Sequence, residues 1–200
     1  VRDVAAIEVY LHPLRLTHVD RPLLRTSLDA KFSVQYCLAR ALIDGRIVLD
    51  SFSENAFNDA EALALMQRIH ALPHPTPSLA RPGNYLTELH IRLHNGTRLT
   101  VRAHSPAGRT ADQPAPLESI MTKFNHNAAK ALDTQAVATL SDTLMRMEQL
   151  PRAALLHREF PLEEFDLDAA LHRHPAVVLV DELAHSNAPG SRHPKRWQDV

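Results

Sequence analysis

Ala5, Ile7, Val9 and Leu11 alternate with more polar neighbours, the two-residue period of a half-buried strand that ends at Pro13. After a loop through Arg21 and Pro22, Thr26 or Ser27 can cap a helix running through Leu28, Phe32, Ala39 and Ile43, with Gly45 as its stop. That segment is apolar on most sides, which predicts a helix deep in a core. Asn58 followed by Glu61 resembles a capping box for a second helix, striped by Leu63, Met66 and Ile69 before the prolines at 73, 75 and 77. Leu89, Ile91 and Leu93 alternate with His90, Arg92 and His94, Asn95-Gly96 turns the chain, and Leu99, Val101 and Ala103 alternate with Thr100 and Arg102. This pattern predicts a hairpin closed by a type I′ turn.

Beyond a proline-punctuated loop from Pro106 to Pro116, two helices are expected, around Ile120–Leu132 and Asp133–Leu150. The second carries Val137, Leu140, Leu144 and Met147 at helical spacing. Asp166 to His172 then reads as a short helix. Pro175 opens an apolar run, Ala176 to Val180, that reads as a strand buried on both faces and ending in Asp181-Glu182. The pattern as a whole predicts an α+β fold, with helices on a small antiparallel sheet followed by a short α/β fragment of one helix and one buried strand.

Composition narrows the chemistry. Lys plus Arg number 22 and Asp plus Glu 23, so there is no basic field for a polyanion. Charge is uneven, however: from His157 onward five Lys/Arg face eight Asp/Glu. Cys37 is the single cysteine, which excludes an intrachain disulfide and fits a reducing compartment. No apolar run approaches the roughly 18 residues of a membrane helix, and the reading is a soluble, cytoplasmic chain without membrane or nucleic-acid partners. Five scattered glycines leave no clustered loop to cradle phosphates, so neither a Walker A loop nor a dinucleotide fingerprint can be written. Of thirteen histidines, His90, His94 and His104 share a strand face, but Arg92, Arg98 and Arg102 share it too and oppose a cation. No metal site is expected. Arg192, His193, Lys195 and Arg196 beside Trp197 form a short basic cluster that reads as ordinary surface.

The run from Asp29 to Ala39 (DAKFSVQYCLA), with Ala41-Leu42-Ile43-Asp44-Gly45 after it, resembles a signature of the MmgE/PrpD family, which includes 2-methylcitrate dehydratase and cis-aconitate decarboxylase. Ile7 to Pro13, Phe52 to Phe57, the hairpin and Leu117 to Phe124 resemble the rest of that family's carboxyl-terminal domain, in order, over roughly residues 1–155. The resemblance implies cofactor-independent loss of water or carbon dioxide from a tricarboxylic acid. It also implies a preceding helical domain that holds most of the catalytic groups. Here it singles out Tyr36 as a tyrosine that reaches the active site, with Lys31 and Gln35 one turn apart beside it, cations and an acid–base pair being what such chemistry needs. Read as residues alone, Tyr36 equally fits a core tyrosine with a bonded hydroxyl, and Lys31 a snorkelling lysine.

Glu164 to Leu171, and then Val180 to Asp199, resemble the amino-terminal cytoplasmic domain of the osmosensitive potassium-channel sensor histidine kinases (KdpD). There the segment follows a P-loop, and Val177 to Glu182 is similar to a Walker B strand. The resemblance implies that Asp181 could hold Mg²⁺ and Glu182 orient a water. Without a P-loop, the plainer reading is a strand ending at a solvent edge. Together the two resemblances predict domains at 1–156 and 157–200, joined near Leu156 and His157, in a chimeric or truncated frame that starts at Val1 rather than Met. Three functional classes follow: a lyase fragment that handles a tricarboxylic acid only with the helical domain supplied, a signalling or nucleotide-binding fragment, and a non-catalytic interaction domain that can self-associate as a homodimer through an exposed apolar face.

Overall fold

A computed structural model describes residues 1–75, 86–106, 108, 113–157 and 160–200. Pro77 and part of the Pro106–Pro116 loop lie outside those residues. The chain divides into two units, Val1–Ser141 and Asp142–Val200.

The first unit is α+β. Strand β1 (Val4–Leu11) runs parallel to β2 (Ile69–Pro73) on one side and antiparallel to β3 (Thr87–Leu93) on the other, and β3 pairs with β4 (Arg98–Ala103), giving the order β2-β1-β3-β4. The sheet is therefore mixed rather than purely antiparallel. Ile7, Val9 and Leu11 send alternate side chains into the core as predicted. Val4 joins them out of phase because the β1–β3 register shifts between Val4 and Ala6. Between β1 and β2 the chain forms α1 (Pro13–Val19), α2 (Ser27–Lys31), α3 (Val34–Asp44), a 3-10 turn (Leu49–Phe52), α4 (Glu54–Phe57) and α5 (Ala60–Met66). These elements bury Ala30, Tyr36, Ala39, Phe57, Leu65 and Met66 with the β1 residues and Ile69 in one cluster.

Three expectations change here. The single helix from Thr26 to Gly45 is two helices. Thr26 caps α2 in a reciprocal capping box with Asp29, and Ser33 starts α3 by accepting the Tyr36 N–H at 3.1 Å while donating to the Arg21 carbonyl at 2.6 Å. Nor is the segment deep throughout, since Leu28 is 60% and Phe32 47% exposed. The second helix is capped by Asp59, not Asn58, and it stops at Met66, so Ile69 belongs to a parallel strand instead of a helical stripe. The hairpin turn has three residues: the Gly96 N–H donates to Leu93, the Leu93 N–H to Thr97, and Gly96 alone has positive φ (85°). A type I′ turn needs positive φ at both central residues, whereas this geometry is a type I turn followed by a left-handed glycine.

Helices α6 (Leu117–Ala128) and α7 (Thr134–Arg146) follow, both shorter than predicted, and α7 spans the division between the units. In the second unit an unpredicted hairpin pairs β5 (Ala153–His157) with β6 (Phe160–Glu164), and α8 (Leu167–Arg173) is capped by Asp166. The expected buried strand at Ala176–Val180 is absent: the stretch is irregular, with Val177 and Leu179 each 66% exposed. Such an apolar run forms a buried strand when other strands flank it, and among the described residues none pairs with this one.

Candidate functional site

The residues implied by the lyase resemblance sit at the α2–α3 junction, but they do not converge. Lys31 ends α2 and is exposed, its Nζ 6.0 Å from the centre of the Phe52 ring. Gln35 and Tyr36 fall in the first turn of α3 and point inward. The Gln35 amide donates to Asp20 Oδ1 at 2.6 Å, and Ser33 Oγ lies 3.3 Å from Gln35 Oε1. Tyr36 is fully buried, its ring centroid is 6.2 Å from that of Phe52, and its hydroxyl donates to the Ser51 carbonyl. Burial pushes the Tyr36 phenol above its ordinary value, so the hydroxyl keeps its proton at neutral pH.

A cleft of about 220 Å³ runs beside this junction, lined by Arg15, Lys31, Phe32, Ser33, Cys37 and Thr87 among others. Lys31 and Arg15 could meet an anion there. Cys37 is half-buried, and burial pushes its thiol up, so it stays protonated. A larger cleft, about 690 Å³, opens between the 46–52 segment and α6. No local stretch of the sequence marks it, because Arg46 and Lys123 are far apart along the chain.

On β3 and β4, Glu88 accepts from Arg102 Nε at 2.8 Å and lies 2.6 Å from His90 Nε2. These two bonds, with Arg102 the stronger, hold its carboxyl down at about 2. The His90 ring is thus tied to a carboxylate in an ion-pair array, and no group of three metal-ligating side chains occurs among the described residues.

In the second unit Asp181 and Glu182 do not end a strand. Asp181 Oδ1 accepts the Glu182 N–H at 2.7 Å, and Glu182 adopts φ 55° with its side chain 69% exposed. The organised centre is Glu164 instead. It accepts from Arg196 (2.9 Å) and the Ala188 N–H (2.8 Å), and lies 3.1 Å from His185 Nε2. Burial works to raise this carboxyl, but the bonds from His185, Ala188 and Arg196 outweigh it and hold it below its usual range. Asp199 plays a similar part for Asn187 and His193, at 2.6 and 2.7 Å. The basic cluster is consumed by these contacts: Arg192 pairs with Asp168, Arg196 with Glu164, and Lys195 Nζ with the Ser186 hydroxyl. No helix of the described residues is long and apolar enough to cross a membrane.

Two family models match the chain. The model of the MmgE/PrpD C-terminal domain matches residues 1–149, and that of the osmosensitive K+ channel His kinase sensor domain matches residues 128–200. Cis-aconitate decarboxylase of Mus musculus is 28% identical over 141 residues, 70% of this chain and 28% of its own length. Sensor protein KdpD of Escherichia coli (strain K12) is 67% identical over 51 residues, 26% of this chain and 6% of its own length. Sensor protein KdpD of Mycobacterium tuberculosis (strain ATCC 25618 / H37Rv) is 46% identical over 112 residues, 56% of this chain and 13% of its own length. The chain thus spans less than a third of each of these relatives.

Proposed function

The chain belongs to the MmgE/PrpD family through residues 1–149, and on that premise we propose that its first unit is the carboxyl-terminal portion of a cofactor-independent lyase acting on a tricarboxylic acid such as 2-methylcitrate. The observation that carries this reading is the state of the α2–α3 junction. Gln35 and Tyr36 spend their polar groups on Asp20 and Ser51, and only Lys31 is left facing solvent. A lyase needs a cation for the substrate carboxylate and also an acid–base pair. The junction offers the first without the second. In this reading Lys31 meets substrate, while Gln35 and Tyr36 are positioning residues that hold α3 through their bonds to Asp20 and Ser51.

The acid–base pair then comes from a helical domain preceding this one, and the isolated chain is inactive. A coupled assay of the chain with 2-methylcitrate and with cis-aconitate tests this. No turnover is expected, and measurable turnover abolished by Lys31→Met would overturn it.

A second reading rests on the 67% identity to a sensor protein. We propose that residues 128–200 derive from a sensor domain joined to the lyase portion. The two family matches overlap over residues 128–149, which supports a join upstream of the Leu156–His157 step expected from the two resemblances. Asp181 and Glu182 lie on an irregular, exposed stretch with no glycine-rich loop beside it, so the segment is proposed as a fragment without nucleotide binding. Calorimetry with Mg-ATP should show no heat of binding, and a saturable isotherm would restore the signalling role. We propose a reducing compartment such as the cytoplasm, because the single cysteine, Cys37, can form no intrachain disulfide.

A further inference from the structure

We infer that the cleft between the 46–52 segment and α6 binds a small organic anion with a carboxylate head and a short aliphatic body. Its volume, about 690 Å³, falls within the usual range for small-molecule sites, roughly 300–1,000 Å³. One wall is apolar, built from Ile47, Val48, Leu49 and Phe52, and Ile47 and Leu49 stay 42% and 52% exposed. The facing wall is polar. Lys123, His126 and Asn127 follow helical i, i+3 and i+4 spacing and so share one face of α6. Gly45, at φ 72°, ends α3 in the left-handed conformation, and Arg46 enters the cleft directly after it.

Arg46 and Lys123 outnumber the one acid, Glu118, in the lining of this cleft. Asp50 is already paired with Lys130, which holds its carboxyl below the usual range. Among the described residues neither Arg46 nor Lys123 has an ion-pair partner, while Glu118 is the one acid in the lining. His126 Nε2 is a buried nitrogen without a hydrogen-bond partner, and it stands 3.8 Å from Asp50 Oδ2. Two unpaired cations and an unsatisfied imidazole facing an aliphatic wall match a carboxylate with a carbon body better than a bare inorganic anion, which would leave the apolar wall uncovered. None of Lys31, Gln35 or Tyr36 lines the cleft. The site lies within one unit and needs no second domain, so it goes beyond the lyase reading.

The test is an NMR titration of the full chain with 2-methylsuccinate, with inorganic phosphate and neutral succinamide as separate arms. Saturable shifts are expected in the amides of residues 46–52 and 119–127 with 2-methylsuccinate. Arg46→Met and Lys123→Met should each weaken binding roughly tenfold or more, the loss of one charge-assisted hydrogen bond. Arg98→Met on β4 should leave affinity unchanged. Three results would each overturn the inference: no saturable shift at millimolar ligand, unchanged affinity in both cleft variants, or phosphate or succinamide binding as tightly as 2-methylsuccinate. Because turnover is not read, a failure here leaves the lyase reading standing, and the reverse also holds.

Discussion

The Tyr36 hydroxyl donates to the main-chain carbonyl of Ser51, fifteen residues further on, and so ties the first turn of α3 to the 3-10 turn before α4. Both residues are buried. Tyr36→Phe keeps the ring against Phe52 and leaves the Ser51 oxygen without its donor. The expected loss is about 1–3 kcal/mol in urea unfolding, the cost of an unsatisfied buried acceptor. A change below a few tenths would mean that the bond does not hold the turn.

Gly96 supplies the left-handed residue of the β3–β4 turn, with nothing within 4 Å of where a Cβ would sit. Space is therefore free, and only the backbone resists substitution. Gly96→Ala should cost about 1–2 kcal/mol, the penalty of a left-handed L-residue, while Asn95→Ala should cost less, since Asn95 has no positive φ. Thermal melts of the two variants separate this three-residue turn from a type I′ turn, in which both positions would be sensitive.

Glu88 has a depressed carboxyl, at about 2 against an ordinary 4.5. The sign follows directly: its contribution to stability is complete above the unfolded value near 4.5 and is lost as pH falls through about 2. The Glu88 carboxyl resonance should titrate near 2 in the native chain. Arg102→Met, which removes the largest contributor, should bring that midpoint up toward 4.5; a midpoint unchanged by the substitution would place the cause elsewhere.

Glu164 gathers Arg196, His185 and the Ala188 N–H around a carboxylate whose side chain is 9% exposed. Removing one partner of such a buried pair strands the other, at a cost of about 3–5 kcal/mol. Glu164→Ala should therefore speed amide exchange at Ala188, Arg196 and Trp197, with β1–β4 unaffected. Protection that persists would show that the segment is held by something other than Glu164.

How far the fold could be read from sequence depended on whether its cause was local. β1, β3 and β4 carry their alternation in adjacent residues, and the glycine stop of α3 is a single-residue signal; both were legible. Strand β2 was not, because Ile69–Pro73 is too short to show a period and exists by parallel pairing with β1, more than fifty residues earlier. The break at Ser33 hides inside a continuous apolar stripe and becomes visible only when its hydroxyl finds Arg21. The converse holds at Ala176–Val180, a strand-like run that pairs with no strand among the described residues. Among site residues, Tyr36, Gln35 and Lys31 could be singled out, but whether they face inward or outward depends on Asp20 and Ser51, which only the fold brings near. The Arg46–Lys123 cleft carried no local signal at all.

Under the proposed function, the first unit packs around one core cluster and supplies a cation, Lys31, without an acid–base pair at the α2–α3 junction. Complementation measures this directly: the chain is joined to, or mixed with, the amino-terminal helical part of a cis-aconitate decarboxylase or 2-methylcitrate dehydratase, and release of carbon dioxide or water is followed. Neither half alone should turn over substrate, the combination should, and Lys31→Met should raise KM more than it lowers kcat. Turnover by the chain alone, or a combination in which both halves stay folded and associated yet remain inactive, would contradict it.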